Sequence, residues 1–123
     1  MSWNELVNER GVSPEHPVRR RFARYSVDKP LVVSLPYWDM PVTIRARCKQ
    51  IGEGGAGAET AQQLLTGEVV CLKLSATLTV YAAVRYSRGF YHGFEFVLLK
   101  DRQKFELKRM CSHYAPGRIA TAS

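Results

Sequence analysis

Alternation of apolar and polar residues with a period of two dominates the chain from about residue 25 to residue 99. In the run 42–49, every second residue is apolar. Side chains on a β-strand point alternately to its two faces, so this pattern indicates a strand with one buried face. The same pattern recurs in the runs 31–35, 70–74, 78–86 and 90–96. Turn-forming residues separate the runs, and five or six short strands so spaced favour a small antiparallel β-barrel.

Helices are predicted at both ends of this β region. After residue 99, apolar residues recur at i, i+3, i+4 and i+7, which predicts an amphipathic helix from about Asp101 that packs on the barrel. These residues are Leu107, Met110, Cys111 and Tyr114. At the other end, Ser2 and Glu5 form a capping-box pattern that predicts a short helix ending near Gly11.

Charge is concentrated in one short segment. The 123 residues suit a single domain, and the formal net charge is +7. Four arginines lie within residues 19–24, and subtracting these four from +7 leaves +3. The chain has 12 arginines and 6 lysines, which favours shaped recognition of an anion over a diffuse cationic field. We therefore expect a localised site for an anionic ligand.

Cysteine and histidine give no sign of catalysis or of a metal site. Cys48, Cys71 and Cys111 are odd in number and widely spaced, which predicts buried free thiols in a reducing compartment. The three histidines have no ligand spacing, and His92 is expected within a sheet. The polar N-terminus lacks a signal-peptide pattern and no run reaches the length of a membrane span, so a cytoplasmic protein without membrane insertion is expected.

A glycine-rich segment follows the second strand-like run. Its residues Gly52, Gly54 and Gly57 match the dinucleotide pattern GxGxxG. That motif needs a βαβ unit, whereas only a short helical turn is predicted here, from Ala61 to Leu65. We interpret the segment as a tight or bulged strand connection, in which glycine lets another backbone or a ligand approach closely.

The arginine segment carries the clearest candidate chemistry. Arg19, Arg20, Arg21 and Arg24 directly precede the first strand. A guanidinium is a planar, two-pronged donor that matches phosphate oxygens and the O6/N7 edge of guanine. A cluster of this kind on a loop that leads into a rigid sheet can close over a nucleotide.

In this arrangement the chain resembles the PilZ domain family, which is marked by an RxxxR loop and a D/N-x-S-x-x-G segment. Arg20 and Arg24 match the first mark, and residues 50–55 resemble the second. Gln50 stands where the family has Asp or Asn, and Gly52 where it has Ser. The resemblance continues through residues 91–97 and the closing helix, so it covers roughly residues 17–114.

The resemblance implies a mainly β protein: a six-stranded antiparallel barrel with a C-terminal helix, in a domain of residues 18–115. Residues 1–17 would form a short helix and linker, and residues 116–123 a tail. The family binds cyclic di-GMP, often as an intercalated pair, and passes the signal to a protein partner without enzymatic chemistry. The implied ligand-binding residues are Arg19, Arg20, Arg21, Arg24, Gln50, Gly52 and Gly55. No metal or cofactor is implied, and either a monomer or a homodimer is compatible.

Two other functions stay open at this stage. The changes at Gln50 and Gly52 remove polar anchors, which predicts binding weaker by roughly tenfold to a thousandfold. A protein-interaction adaptor that binds no nucleotide is therefore an alternative, favoured if Trp3, Tyr37 and Trp38 are exposed. The third is an oligonucleotide-binding barrel, since basic and aromatic residues interleave in the segment 85–91; nucleic acid is not the ligand we expect.

Overall fold

The computed structural model describes residues 22–36 and 42–114, which form six strands and one helix. Arg19, Arg20, Arg21, the predicted N-terminal helix, the predicted tail and the aromatic residues Trp3, Tyr37 and Trp38 lie outside the described residues. The elements are β1 (Arg24–Leu35), β2 (Val42–Gly52), β3 (Gly55–Thr60), β4 (Val69–Ser75), β5 (Leu78–Arg88), β6 (Tyr91–Val97) and α1 (Asp101–Cys111).

The six strands close into one antiparallel barrel in the order β1, β2, β3, β6, β5, β4. The sheet closes because β4 pairs with β1, with Val33 opposite Leu72. Closure gives every strand a partner on both sides, and β4 pairs with β1 over Val32–Ser34. The predicted six-stranded antiparallel barrel is therefore confirmed.

The core follows the predicted alternation. Inward side chains from neighbouring strands, such as Val33, Leu72 and Val80, are fully or almost fully buried. The helix α1 contributes Leu107 and Cys111, which are buried against the barrel. A fully buried leucine contributes about 1.5 to 3 kcal/mol relative to an exposed one, so the docking of α1 is driven mainly by its apolar stripe. The predicted C-terminal helix and its start at Asp101 are confirmed.

Strand β3 differs from the sequence prediction. The predicted tight connection is confined to Glu53 and Gly54, which link β2 to β3, whereas Gly55–Thr60 form a strand that pairs with β2 on one side and β6 on the other. Its alanines, Ala56 and Ala58, point into the core, and its outward positions include Gly57. Glycine and alanine have low β-propensity, so pairing on both sides, not local preference, makes this a strand. The helical turn predicted from Ala61 to Leu65 was wrong, because these residues form a bend and an irregular segment.

A β-bulge in β5 reverses the direction of one predicted core residue. The alternation in residues 78–86 placed Tyr86 on the same inward face as Val84. The register shifts between these two residues, so Val84 lies opposite Phe94 while Tyr86 lies opposite Gly93. An extra residue in a strand changes the phase of its side chains. Tyr86 consequently lies on the outer face, with 45% of its surface exposed.

The three cysteines are free thiols, as predicted. Cys48 and Cys111 are buried, whereas Cys71 is only half-buried because it lies on the outer side of β4. Burial raises the pKa of Cys48 and of Cys111 to about 11 in each case. Thiols with so high a pKa are poor nucleophiles at neutral pH.

His92 lies in β6 and is completely buried, so the prediction that it belongs to a sheet is confirmed. The backbone N–H of Leu64 donates to its Nε2 at 2.9 Å, which makes Nε2 an acceptor and leaves the proton on Nδ1. Nδ1 lies 3.1 Å from the hydroxyl of Thr60, which is also buried. The ring thereby ties the end of β3 to the segment that leads to β4.

We expect this histidine to make the stability depend on pH. Burial lowers the pKa of His92, so the folded protein favours the neutral ring. The stability that the neutral ring contributes to the fold is complete above about pH 6.5, the ordinary pKa of histidine. It is lost as the pH falls, because the unfolded chain then takes up a proton that the native state excludes. Urea unfolding between about pH 7.5 and 5.5 should show a falling free energy of unfolding.

Two variants test this assignment. His92→Gln should cost about 1 to 3 kcal/mol at neutral pH, through a lost buried hydrogen bond, and should flatten the pH dependence. His113→Gln, at an exposed position after α1, should leave both unchanged. An equal pH dependence in the wild type and in His92→Gln would contradict the assignment.

Candidate functional site

The outer face of β1, β2, β3 and β6 brings the sequence-predicted residues together. Pairing places Arg24 opposite Gly52, and Gln50 opposite Gly57. Gly57 in turn lies opposite Gly93 of β6. The neighbouring residues on these strands, including Ile51 and Ala56, belong to the core, so the paired positions all face outward. One continuous surface therefore crosses four strands.

Arg24 and Gln50 are in direct contact on this surface. The Nη1 of Arg24 donates a hydrogen bond to Oε1 of Gln50 at 3.3 Å. Both residues are partly buried, so the guanidinium lies on the sheet instead of extending into solvent. Of the predicted ligand-binding residues, Arg24, Gln50, Gly52 and Gly55 lie in this region, while Arg19, Arg20 and Arg21 lie outside the described residues.

Gly52 is covered by the chain that enters β1. A Cβ at Gly52 would lie 2.5 Å from the carbonyl oxygen of Ala23 and 3.3 Å from Cδ of Arg24. The neighbouring Gly54 is covered in the same way, because a Cβ there would lie 2.9 Å from the ring of Phe22. Phe22 and Ala23, which lie between Arg21 and Arg24, thus cross the turn between β2 and β3. A side chain at position 52 would displace this backbone, so glycine is required here by packing.

Gly55 is also required by close approach. A Cβ at this position would overlap the carbonyl oxygen of Phe94 on β6. Because the obstacle is the backbone of a paired strand, it cannot rotate away. Gly55 is buried, and its evident role in this structure is to let β3 and β6 approach one another.

Two tyrosines complete this surface, and the sequence analysis did not assign them to it. A Cβ at Gly57 would overlap the hydroxyl of Tyr91, and one at Gly93 would overlap the ring of Tyr86. The two rings are neighbours, with centroids 6.3 Å apart. Tyr91 shares the outer face of β6 with Gly93 by simple alternation, which is a signal the sequence offered. Tyr86 reaches this face only through the bulge in β5, which alternation does not reveal.

The phenol of Tyr91 lies within electrostatic reach of Arg24. Burial raises the pKa of Tyr91, the neighbouring Tyr86 raises it further, and the Arg24 guanidinium acts in the opposite direction. The phenol is therefore protonated at neutral pH and can both donate and accept hydrogen bonds. Arg24, Gln50 and Tyr91 thus provide a cation, an amide and a hydroxyl on one face. We name these three residues the polar cluster.

The strand that carries Arg24 also contacts α1. Tyr25 is the next residue, and its ring packs against that of Tyr114, with centroids 5.8 Å apart and planes inclined by 35°. Tyr114 lies three residues after the end of the helix at Cys111 and packs against the core. A displacement of β1 at the polar cluster would therefore change the packing of Tyr114 near the end of α1.

Other charged groups form ordinary surface ion pairs. Asp28 accepts from Arg47 at 2.6 Å and from Lys49 at 3.4 Å, and the Arg47 hydrogen bond is the main cause of the lowered pKa of Asp28. Arg85 pairs with Glu95 at 2.5 Å. Exposed pairs of this kind contribute little to stability. Within residues 22–36 and 42–114, no group of histidine, cysteine and acidic side chains is arranged to hold a metal ion.

The chain belongs to the PilZ domain family, because the model of the PilZ domain matches residues 18–113. No curated protein sequence matches the chain. None of the helices that the structure describes has the length and apolar character needed to cross a membrane.

Solved PilZ structures share the fold. The PilZ domain of YcgR from Escherichia coli with c-di-GMP is 19% identical, with a TM-score of 0.60 over 79% of this chain and 92% of that one. A structure of Escherichia coli YcgR in complex with c-di-GMP is 21% identical, with a TM-score of 0.58 over 77% of this chain but only 45% of that one. The Bacillus subtilis inhibitor of motility, MotI/DgrA, is 16% identical, with a TM-score of 0.61 over 81% and 55%. The chain thus spans about half the length of YcgR and of MotI/DgrA.

The packing over Gly52 predicts the effect of restoring the serine that PilZ domains have there. Gly52→Ser should lower the free energy of unfolding by about 1 to 3 kcal/mol, because its Cβ would be forced against the carbonyl of Ala23. Urea unfolding of the two proteins measures the difference. Gly89→Asn is the matched control, since Gly89 has φ +65° with nothing nearby, and asparagine tolerates that conformation. Equal stability of Gly52→Ser and wild type would refute the packing argument.

Proposed function

We propose that this protein is a bacterial cytoplasmic receptor for cyclic di-GMP that passes the signal to a protein partner. The observation that carries the proposal is the contact of Arg24 with Gln50 beside Gly52, because it joins parts of both sequence marks on one outer face. Membership of the PilZ family supports the ligand class. Two of the structural neighbours are described as complexes with c-di-GMP, which also supports it.

The chemistry of the site suits a guanine nucleotide. A guanidinium can donate two parallel hydrogen bonds to O6 and N7 of guanine, and an amide can both donate to and accept from a base edge. In the proposal Arg24 and Gln50 contact the base, whereas Arg19, Arg20 and Arg21 supply charge for the phosphates. The remaining predicted contacts, at Gly52 and Gly55, would be made by backbone, since these residues have no side chains.

The covered state of Gly52 changes how the departure from the family is understood. The missing hydroxyl is not a vacancy, because the Ala23 carbonyl occupies the neighbouring space. The side-chain hydrogen bond that a serine would have made must then come from a neighbouring residue. A site with fewer polar side chains can still bind a ligand well if little conformational entropy is lost on binding. Arg24 belongs to β1, so its backbone is fixed before any ligand arrives.

Transmission of the signal has a physical route in the same strand. Arg24 belongs to the polar cluster, and Tyr25 contacts Tyr114, three residues after the end of α1. Ligand contacts that shift the start of β1 would alter the packing of Tyr114. We propose that the surface around the end of α1 is where a protein partner senses the occupied site.

Titration calorimetry with cyclic di-GMP tests the proposal. The wild type should bind, and Arg20→Ala with Arg24→Ala should reduce affinity by at least about a hundredfold, since each charge-assisted contact contributes about 1.5 to 3 kcal/mol. Arg109→Ala is the matched control, because it removes an exposed positive charge on α1 near the turn between β4 and β5.

The alternative functions give different results in the same experiment. An absence of heat in the wild type at millimolar ligand would refute the receptor proposal and favour the adaptor that binds no nucleotide. Tighter binding to single-stranded nucleic acid, with a steep dependence on salt, would favour the oligonucleotide-binding function instead. An equal loss of affinity in Arg109→Ala would show that net charge, not the proposed site, controls binding.

A further inference from the structure

The outward positions 57 and 93 are both glycines, and each is covered by a tyrosine side chain. Outward positions on neighbouring strands normally carry side chains of their own, which pack against one another. Here Tyr91 reaches across to β3 and lays its hydroxyl over Gly57, while Tyr86 lies on Gly93. The glycines therefore make room for two phenol side chains against the outer face of the sheet.

This arrangement places the Tyr91 hydroxyl near Arg24 and Gln50, the other two residues of the polar cluster. Gln50 is the cross-strand partner of Gly57, so the hydroxyl above Gly57 lies over the strand next to Gln50. Arg24 acts electrostatically on the same phenol. The ring of Tyr86, with its centroid 6.3 Å from that of Tyr91, supports the phenol from the side of β6 and β5. A residue on the third strand along from β1 thus contributes to the surface that begins with Arg24.

The chemistry of the polar cluster indicates which part of a ligand it contacts. Phosphate oxygens only accept hydrogen bonds, so a phosphate site is built from donors. The cluster instead combines a guanidinium donor with an amide and a phenol, each of which donates and accepts. This combination matches the edge of guanine, which offers the acceptors O6 and N7 beside N–H donors.

We propose that Tyr91 is a ligand-contacting residue whose hydroxyl hydrogen-bonds the base edge of a guanine nucleotide, next to Arg24 and Gln50. This inference rests on the proposed function, because it assumes that cyclic di-GMP binds to this face. Gly57 is then a specificity determinant in its own right, since any side chain there would remove the hydroxyl from its position.

Titration calorimetry with cyclic di-GMP, on the wild type, Tyr91→Phe and Gly57→Ala, tests the inference. Tyr91→Phe should weaken binding about five- to tenfold, the loss expected for one hydrogen bond, while keeping the ring and its packing. Gly57→Ala should weaken binding at least as much, although it retains Tyr91, because the new methyl group overlaps the hydroxyl. Thermal melting of each variant shows that the barrel is folded.

Tyr81→Phe is the matched control. Tyr81 is 47% exposed and lies on β5, the strand that carries Tyr86. It lies opposite Cys71 and Val97, five residues before Tyr86. That separation corresponds to about 17 Å along a strand. Its affinity should equal that of the wild type, and a loss as large as that of Tyr91→Phe would overturn the inference.

A second ligand tests the assignment to the base edge. Cyclic di-AMP has the same phosphates and ribose rings but lacks the O6 and N–H groups of guanine. Tyr91→Phe should therefore reduce the preference for cyclic di-GMP over cyclic di-AMP, and an equal loss for both ligands would overturn the base-edge contact.

Equal affinity of the wild type and Tyr91→Phe for cyclic di-GMP would overturn the inference alone. A wild type that binds neither ligand would overturn the proposed function and the inference together.

Discussion

The close approach of neighbouring segments over outward glycines is the constraint on which the candidate site depends. The carbonyl of Ala23 reaches Gly52, the carbonyl of Phe94 reaches Gly55, and a phenol covers Gly57. Each contact exists only because the glycine has no Cβ. These approaches bring the start of β1 onto the turn between β2 and β3 and flatten the outer face of β3. The site is therefore shaped by absent side chains as much as by the arginine and the amide that lie on it.

The same strands connect this outer face to the core. In β1, Arg24 lies outside while Tyr25 packs against Tyr114 beyond α1. In β6, Tyr91 lies outside while the next residue, His92, is buried and accepts the Leu64 N–H. Strand alternation thus couples each site residue to an adjacent residue that packs on the other face. A ligand that moves an outward side chain together with its backbone must also disturb a packed interior neighbour, which is how a small local shift can reach a distant surface.

The sequence predicted those parts of the fold that depend on apolar periodicity. It did not predict features that depend on strand pairing or on a change in the phase of side-chain alternation. The barrel, the strands around Val33 and Val80 and the helix from Asp101 follow from alternation or helical spacing. Strand β3 did not, because its alternation is between glycine and alanine and carries almost no hydrophobic contrast. Tyr86 was misassigned because a bulge has no signature in a period-two pattern. In the site, Arg24, Gln50 and Gly52 were predicted from motif spacing, whereas Tyr91 needs the cross-strand register with Gly57.

The contact of Arg24 with Gln50 has two opposing consequences for binding. It holds the guanidinium on the sheet, which reduces the conformational entropy lost when a ligand binds. A guanine that takes both prongs of the guanidinium must, however, break or share the existing bond to Oε1, so part of the new interaction replaces an old one. The net gain then depends on how well the ligand replaces the existing bonds. The amide of Gln50 gives up its contact with Arg24, and the phenol of Tyr91 already has a hydrogen bond with Tyr86, so each must find at least as good a partner on the base edge.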